Sequence, residues 1–204
     1  MELKEHPLFV TSVFVTYLNN INNEIIIESA EKVEKTIRGN LRSNSGGYQS
    51  IPINGDNFDN YEILKLFQNY IVPAAKKIGN SWGIPNDLNR FIYWYNINRK
   101  NNYNKTHSHP NSYISGVYYA KVPKNSGNIV FERSQNEADR IHFITEQLVN
   151  QKIEVNNTRI NTEHWFVPEE NLLLLFPGHL MHYVNTNETE DYDDRRISIS
   201  FNFF

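Results

Sequence analysis

Cysteine is absent from the 204 residues of this chain. Its absence excludes a disulfide framework, a thiolate metal site and a cysteine nucleophile. Any metal that the protein binds must therefore be held by nitrogen and oxygen atoms, for which imidazole and carboxylate groups are the usual sources.

Clusters of basic residues and long apolar runs are also missing. The 20 lysines and arginines are scattered singly and the formal net charge is −3, so the chain lacks the basic stripe that binding to nucleic acid phosphates requires. The stretch Met1–Pro7 does not resemble a signal peptide, and the apolar runs are far too short to span a membrane. We expect a cytoplasmic protein that binds neither nucleic acid nor membranes, with its oligomeric state open and a homodimer among the options.

We expect residues 1–204 to form a single domain, of which residues 1–88 supply a strand and supporting helices. The β-branched and aromatic stretch Leu8–Tyr17 predicts a strand. Apolar residues at helical spacing predict helices over Asn22–Gly39 and Asn60–Gly79, and Pro73 is placed to bend the second. Between them, the polar and glycine-rich stretch Ser43–Ser50 is typical of a loop.

Residues 89–204 change to a succession of short strands. Strands are predicted over Phe91–Asn98, Ile114–Val122 and Asn128–Glu132, and the turn-forming residues Lys124–Gly127 predict that the last two pair as a hairpin. Helices followed by many short strands indicate an α+β, mainly β fold, in which the helices brace one face of a double-sheet barrel or jelly roll.

Two further elements are predicted in the middle of the chain. The stretch Ser134–Asn150 can hold a short helix, and Lys152–Asn161 can form a hairpin that turns at Asn156 and Asn157. We expect Ser43–Ser50 and Ser134–Thr162 to frame the mouth of the barrel.

The C-terminal strand carries the first sign of a ligand pocket. After the apolar run Leu172–Phe176 and a polar loop, Arg196–Phe203 alternates strictly between polar and apolar residues. Side chains of a strand point alternately to its two faces, so one face is expected to be buried and the other to line something polar. The polar face is formed by Arg196, Ser198, Ser200 and Asn202.

Four of the seven histidines lie in two tight groups, which indicates a metal site. His107 and His109 share one face of an extended chain and can converge on a cation. The alternative is that both are exposed loop histidines, because the residues around them are polar. Spacing alone leaves either His179 or His182 as a third ligand, and we favour His182 because it begins a strand.

Arg196 suggests recognition of a carboxylate. Its planar fork of N–H donors, in phase with the hydroxyl of Ser198, suits two parallel hydrogen bonds to a carboxylate. The alternative is a surface salt bridge with a nearby acid, and we assign that role to Arg195, with Asp193, Asp194 or Glu190 as its partner.

The order of these residues resembles that of the iron(II)- and 2-oxoglutarate-dependent oxygenases. It is most similar to a small family of such oxygenases whose members carry HxHPNS, SGVYY, a GxLxF hairpin, FPxxLxH and RISISFN. The corresponding elements here span His107–Ser112, Ser115–Tyr119, Gly127–Phe131, Phe176–His182 and Arg196–Asn202. The resemblance covers roughly residues 91–204.

The resemblance implies a double-stranded β-helix with iron at one mouth, held by His107, His109 and His182. Most of the superfamily has a carboxylate two residues after the first histidine, and His109 departs from that pattern. Three neutral imidazoles would leave the iron one unit more positive than two imidazoles and a carboxylate. His109 is therefore either an unusual third ligand or not a ligand at all.

The resemblance also implies the co-substrate site and the reaction. Arg196 would bind the far carboxylate of 2-oxoglutarate (2OG), helped by Ser198 and Tyr119, and O2 would be the oxidant. The expected reaction is hydroxylation of a small molecule or a protein residue, with release of succinate and CO2. Asn96 is a candidate polar contact in the cavity, whereas Trp94 is expected to fill the core.

Two other interpretations remain. A cupin-like metal-binding protein, or a metal-dependent enzyme such as an isomerase that does not use 2OG, would keep the jelly roll and the metal. A third interpretation has no metal and treats the histidines as loop residues. We expect His6, His142 and His164 to have surface or packing roles.

Overall fold

The computed structural model describes residues 10–40, 42–84, 88–134 and 161–204, together with Lys4. The strands in these ranges are β1 (Phe14–Tyr17), β2 (Asn44–Ser45), β3 (Tyr48–Gln49), β4 (Ile53–Asn54), β5 (Phe91–Asn98), β6 (Tyr103–His107), β7 (Ile114–Lys121), β8 (Ile129–Glu132), β9 (Glu163–Phe166), β10 (Leu172–Pro177), β11 (His182–Val184) and β12 (Arg196–Phe203). The helices are α1 (Asn23–Thr36), α2 (Tyr61–Leu66) and α3 (Val72–Ser81).

Both predicted helices are confirmed, and the second is irregular. The side chain of Asn22 caps α1 by accepting a hydrogen bond from the backbone N–H of Glu24. A π-helical segment, Phe67–Ile71, joins α2 to α3, and Pro73 lies in the first turn of α3. Proline lacks a backbone N–H and its ring crowds the preceding turn, which accounts for the wider π turn at this point. None of the helices in the described ranges is long and apolar enough to cross a membrane.

The strands form two antiparallel sheets. The first has the order β1-β10-β7-β12-β5-β3, with β4 also paired to β5, and the second has the order β2-β6-β11-β8-β9. The fold is therefore α+β and mainly β, with the predicted jelly roll. The N-terminal strand prediction is confirmed in its second half, where β1 pairs with β10 along the edge of the first sheet.

The helices and the two sheets form three layers, with an apolar core between each neighbouring pair. One lies between the helices and the first sheet, and it includes Ile26, Phe67 and the side chains of Ile197, Ile199, Phe201 and Phe203. The other lies between the two sheets, and it includes Val117, Phe131, Leu174 and Phe176. The alternation of β12 therefore places its apolar face on the helices and its polar face inside the jelly roll.

The predicted hairpin of Ile114–Val122 with Asn128–Glu132 is wrong. Strand β7 pairs with β10 and β12 in the first sheet, whereas β8 pairs with β11 and β9 in the second. The connection instead crosses between the sheets, with Gly127 in the left-handed region at φ +87°. Turn-forming residues mark a change of direction, but they do not reveal which strand lies beside which.

The loop prediction for Ser43–Ser50 is only partly right. Strands β2 and β3 lie within it, β2 on the second sheet beside β6 and β3 on the first beside β5, so this short segment joins the two layers. Apart from Ser134 and Asn161, the predicted helix over Ser134–Asn150 and hairpin over Lys152–Asn161 lie outside the described residues. His6 and His142 lie outside them as well.

Candidate metal centre and cavity

Three histidines meet at one end of the second sheet. His107, at the end of β6, faces His182, at the start of β11, with ring centroids 4.3 Å apart. The ring of His109, two residues beyond β6, lies 5.1 Å from each of them. Their candidate ligand nitrogens all lie within 4.8 Å of one another. His182 is buried and His179 is exposed, which favours His182 over His179 as the third member of the group.

Backbone carbonyls fix the tautomers of two of these rings. Nδ1 of His107 lies 2.7 Å from the carbonyl oxygen of Lys105, and Nδ1 of His182 lies 2.9 Å from that of Leu180. A carbonyl oxygen can only accept, so each Nδ1 must carry the proton and each Nε2 keeps its lone pair. This is the usual arrangement of metal-binding histidines.

The third ring is placed by the loop that follows β6. The backbone N–H of His109 donates to the carbonyl of Gly178 over 2.7 Å, and the His109 carbonyl accepts from the hydroxyl of Ser112 over 2.8 Å. A methyl group on Gly178 would lie 2.2 Å from the carbonyl oxygen of Ser112. Only glycine therefore lets the turn after β10 approach the loop that carries His109.

All three imidazoles are held neutral. Burial lowers the pKa of His109 to about 4 and that of His182 to about 3, and the neighbouring imidazole of His107 adds to both effects. Burial also lowers the pKa of His107. Neutral imidazoles are the form that binds metal, and within the described ranges no carboxylate joins the group.

A cavity runs between the sheets from the histidines to Arg196. Asn96, Ser198 and Tyr119 lie side by side on three adjacent strands and form one row across its wall. The cavity is narrow, about 50 Å³. The sequence-predicted residues that line it are Asn96, His107, His109, Tyr119, His182, Arg196 and Ser198.

Arg196 is a buried cation at the inner end of this cavity, with 2% of its surface exposed. Its Nη1 donates to the carbonyls of Ser126 and Gly127, and no carboxylate of the described residues pairs with it. Burial lowers the pKa of Arg196, and the nearby Tyr119 opposes that shift. A buried charge without a counterion is costly, which makes this position a candidate anion site.

Tyr119 and Arg195 take different roles around this cation. Burial raises the pKa of Tyr119 to about 12, so its hydroxyl stays protonated and can donate. Arg195 points to the opposite side of the strand and pairs with Glu31 of α1. The predicted partners Asp193, Asp194 and Glu190 are therefore wrong for Arg195, because helix α1, distant in sequence, packs closer.

A second, wider cavity of about 350 Å³ opens beside His107 and His109. Its walls include Arg42, Gln49, Trp94, Pro110 and Phe204. Trp94 is buried, as predicted for a core residue, and it also lines both cavities, with its ring centroid 5.7 Å from that of His109. Trp94 and Asn96 are two residues apart on β5, so both side chains lie on the face of the strand that lines the inner cavity.

Ser200 and Asn202, two polar residues of β12, were not among the predicted site residues. Ser200 accepts a hydrogen bond from the Asn96 side chain over 2.9 Å, and Asn202 lies 3.4 Å from His109 Nδ1. The alternation that identified Arg196 and Ser198 contains both residues, so the signal was present.

Residues 92–202 match the family model described as "Putative 2OG-Fe(II) oxygenase". No curated protein matches the chain in sequence.

Several solved structures share its fold. One is a prolyl-4-hydroxylase from Pseudomonas putida, at a TM-score of 0.63 and 12% identity, covering 95% of this chain and 91% of that one. Another is a viral collagen prolyl hydroxylase from Paramecium bursaria Chlorella virus-1 in complex with 2OG, at 0.55 and 11%, covering 94% of each chain. A third is the alpha-ketoglutarate-dependent carbocyclase SnoK from nogalamycin biosynthesis, at 0.59 and 11%, covering 95% and 79%.

Proposed function

Because this chain belongs to the family of 2OG-Fe(II) oxygenases, we propose that it hydroxylates a C–H bond of its substrate and releases succinate and CO2. Iron(II), 2OG and O2 are the cofactor and co-substrates of this family, and together they supply the oxidising power for that reaction. The side chains of this chain bind these groups, orient them and exclude water from them.

The histidine group is suited to hold the iron. His107, His109 and His182 are neutral, close together and partly or fully buried. Two of the three have their Nδ1 atoms fixed by backbone carbonyls, which leaves Nε2 of each ring for the metal. We assign all three as ligands.

The observation that carries the 2OG assignment is the buried guanidinium of Arg196, which forms no ion pair with a carboxylate of the described residues. A keto acid with one end at the histidines would bring its far carboxylate to this cation, which lines the same cavity. Nη1 is already held by two carbonyls, so the remaining N–H groups of Arg196 are the donors for a carboxylate. Ser198 and the protonated hydroxyl of Tyr119 would complete the site.

The wall of the inner cavity carries a polar pair that can exchange partners when a keto acid binds. Asn96 and Ser200 are hydrogen-bonded to each other there. Asn96 can exchange that bond for a hydrogen bond to the keto acid without a net loss of hydrogen bonds. Asn96 is therefore assigned as a polar contact to the co-substrate.

Among the residues that the structure describes, no carboxylate joins the histidine group, which favours one alternative. Sites with three neutral imidazoles also occur in enzymes that do not use 2OG, so a metal-dependent enzyme without a keto acid is the second candidate. Arg196 argues against it, because such an enzyme has no evident use for a buried cation at the far end of the cavity.

The wider cavity is the proposed substrate site, since it opens directly beside His107 and His109. Trp94 and Phe204 offer apolar surface, and Arg42 offers a positive charge. The similar structures include prolyl hydroxylases and a carbocyclase, so both a protein residue and a small molecule remain as substrate classes.

A screen for substrate-dependent succinate tests this function. Iron-loaded protein would be given 2OG, O2 and a panel of free amino acids, proline-containing peptides and small acids. We expect one class to stimulate succinate formation, with Arg195→Ala as active as the unmodified protein and Arg196→Ala reduced more than about 100-fold in kcat/KM for 2OG. A substrate that is converted equally fast without 2OG would overturn the proposal in favour of the alternative.

A further inference from the structure

We infer that Asn202 is a positioning residue for the metal site, accepting a hydrogen bond from Nδ1–H of His109 so that Nε2 of His109 can bind metal. This inference rests on the assignment of His109 as a ligand in the proposed function. The side chain of Asn202 lies between His109, 3.4 Å away, and the hydroxyl of Ser115, 2.8 Å away. Both Asn202 and Ser115 are buried.

The chemical group that faces Nδ1 is different for His109 than for His107 and His182. His107 and His182 face backbone carbonyls, which can only accept a proton. His109 faces a side-chain amide, which has a donor end and an acceptor end. The end that faces the ring therefore decides whether the proton of His109 sits on Nδ1 or on Nε2, and a protonated Nε2 cannot bind metal.

The hydrogen bonds of Ser112 and Ser115 favour the orientation in which the acceptor end of the Asn202 amide faces His109. Ser112 has one hydroxyl proton, and it donates that proton to the carbonyl of His109 over 2.8 Å. With the amide as it lies in the structure, the Ser115 hydroxyl donates to the side-chain oxygen of Asn202 over 2.8 Å, and the 3.2 Å contact between the two serine hydroxyls is left without a proton. With the amide turned, Ser115 instead donates to Ser112 and accepts from the NH2 group of Asn202, so both contacts become hydrogen bonds.

This direction of hydrogen bonds turns the carbonyl oxygen of Asn202 towards His109. In the structure the nitrogen end faces the ring, and rotation of the terminal amide by half a turn exchanges two ends of nearly equal size. After that rotation each contact from the His109 ring through Asn202, Ser115 and Ser112 to the His109 carbonyl has one proton. The result is a closed ring of hydrogen bonds that begins at the His109 imidazole and returns to the His109 carbonyl.

The two orientations predict different effects for two substitutions of similar size. Asn202→Asp keeps an acceptor and loses the donor, whereas Asn202→Leu loses both. If Asn202 accepts from His109, Asn202→Asp should bind metal as well as the unmodified protein, and Asn202→Leu should bind about 10- to 100-fold more weakly. If Asn202 donates, it holds His109 in the tautomer that cannot bind metal, so neither variant should bind metal more weakly than the unmodified protein.

The probe is Co(II) alone, an air-stable substitute for iron(II) with visible bands that report its ligands. Its dissociation constant and spectrum would be measured for the unmodified protein and both variants, without 2OG or O2. At saturating Co(II), Asn202→Leu should keep the spectrum of the three-imidazole site that His109→Ala loses, because the His109 ring is still present and only its tautomer is no longer held. Since no co-substrate is present, failure of the 2OG assignment would not affect this result.

Controls separate positioning from folding. Asn187 is a buried asparagine that bonds to Asn98 and Thr189, and in the described structure it has no contact with the histidines. Asn187→Ala should leave Co(II) affinity unchanged even if it lowers the melting temperature.

If Asn202→Leu does not fold, Ser115→Ala replaces it. Loss of the Ser115 hydroxyl leaves the Asn202 amide free to rotate and should weaken Co(II) binding severalfold. Unchanged affinity in Asn202→Leu or in Ser115→Ala, or equal loss of affinity in Asn202→Asp and Asn202→Leu, would overturn the inference.

Discussion

His107 and His182 lie directly opposite each other across the pairing of β6 and β11, and each bonds through Nδ1 to the carbonyl two residues before it. The two rings are therefore held by equivalent local contacts on neighbouring strands, with their centroids 4.3 Å apart. Such a pair needs no metal to set its tautomers. The third ring, that of His109, depends instead on contacts from a loop and a distant strand.

Replacement of His109 tests whether three imidazoles are used. We expect His109→Ala to weaken Co(II) binding more than about 100-fold, because one of three ligands is lost. His179→Ala is the matched control, since His179 is exposed near the same turn and lies outside the histidine group. Isothermal titration would measure both. Equal affinity in the two variants would show that His109 is not a ligand.

Gly178 should be intolerant of a side chain. In Gly178→Ala the new methyl group would lie 2.2 Å from the carbonyl oxygen of Ser112, so the loop carrying His109 must move. We expect weaker metal binding, by about tenfold or more, from a protein that still folds. Gly83→Ala is the comparison for a glycine without such contacts, although its positive φ should lower its melting temperature. Unchanged Co(II) affinity in Gly178→Ala would contradict the proposed packing of this turn.

The metal-free protein should lose stability as the pH falls below 6.5. Histidines of the unfolded chain take up protons near that pH, whereas His109 and His182 do so only near pH 4 and 3. The unfolded state therefore binds more protons in this interval, and the free energy of unfolding should fall by roughly 2 to 5 kcal/mol between pH 6.5 and 4.5.

Urea unfolding at several pH values would measure this loss. His182→Gln removes one of the two groups, so its stability should depend less steeply on pH over the same interval. Parallel profiles for the unmodified protein and this variant would show that the histidines are not the source of the effect.

Substitutions of the neighbouring residues Tyr119 and Tyr118 should distinguish a role in co-substrate binding from a role in packing. Tyr119 lines the inner cavity, and Tyr118 faces the helices, where its hydroxyl donates to Asn23 and Asn171. We expect Tyr119→Phe to raise the KM for 2OG about tenfold, because a hydrogen bond to a charged group is lost. Tyr118→Phe should instead cost about 1 kcal/mol of stability and leave that KM unchanged. The reverse pattern would contradict the assignment of Tyr119.

Local patterns in the sequence predicted the elements but not all of their neighbours. The helical spacing of α1 and the alternation of β12 are local properties, and both were confirmed. The partner of β8 is set by packing between sheets, so the turn before it misled the hairpin prediction. Arg195 was likewise assigned to nearby acids, whereas its partner Glu31 is 164 residues away in the chain.

Much of the site could be predicted because its residues follow the strand period. His107 and His109, and Arg196 and Ser198, are each two residues apart and face the same cavity. Trp94 is buried as predicted, but its contact with the cavities could not be predicted, because an apolar side chain in phase with Asn96 can fill a core and line a cavity at once. Asn202 could not be linked to His109, since that contact depends on the loop after β6. The cytoplasmic location and the oligomeric state stay predictions.

Anaerobic titration of the iron(II)-loaded protein with 2OG tests the central claim most directly. A keto acid that chelates iron gives a visible charge-transfer band, and we expect this band to saturate in the unmodified protein and in Arg195→Ala. Arg196→Ala should bind iron(II) normally but show the band only at much higher 2OG concentrations. A titration without any band, or loss of iron binding in Arg196→Ala, would contradict the account.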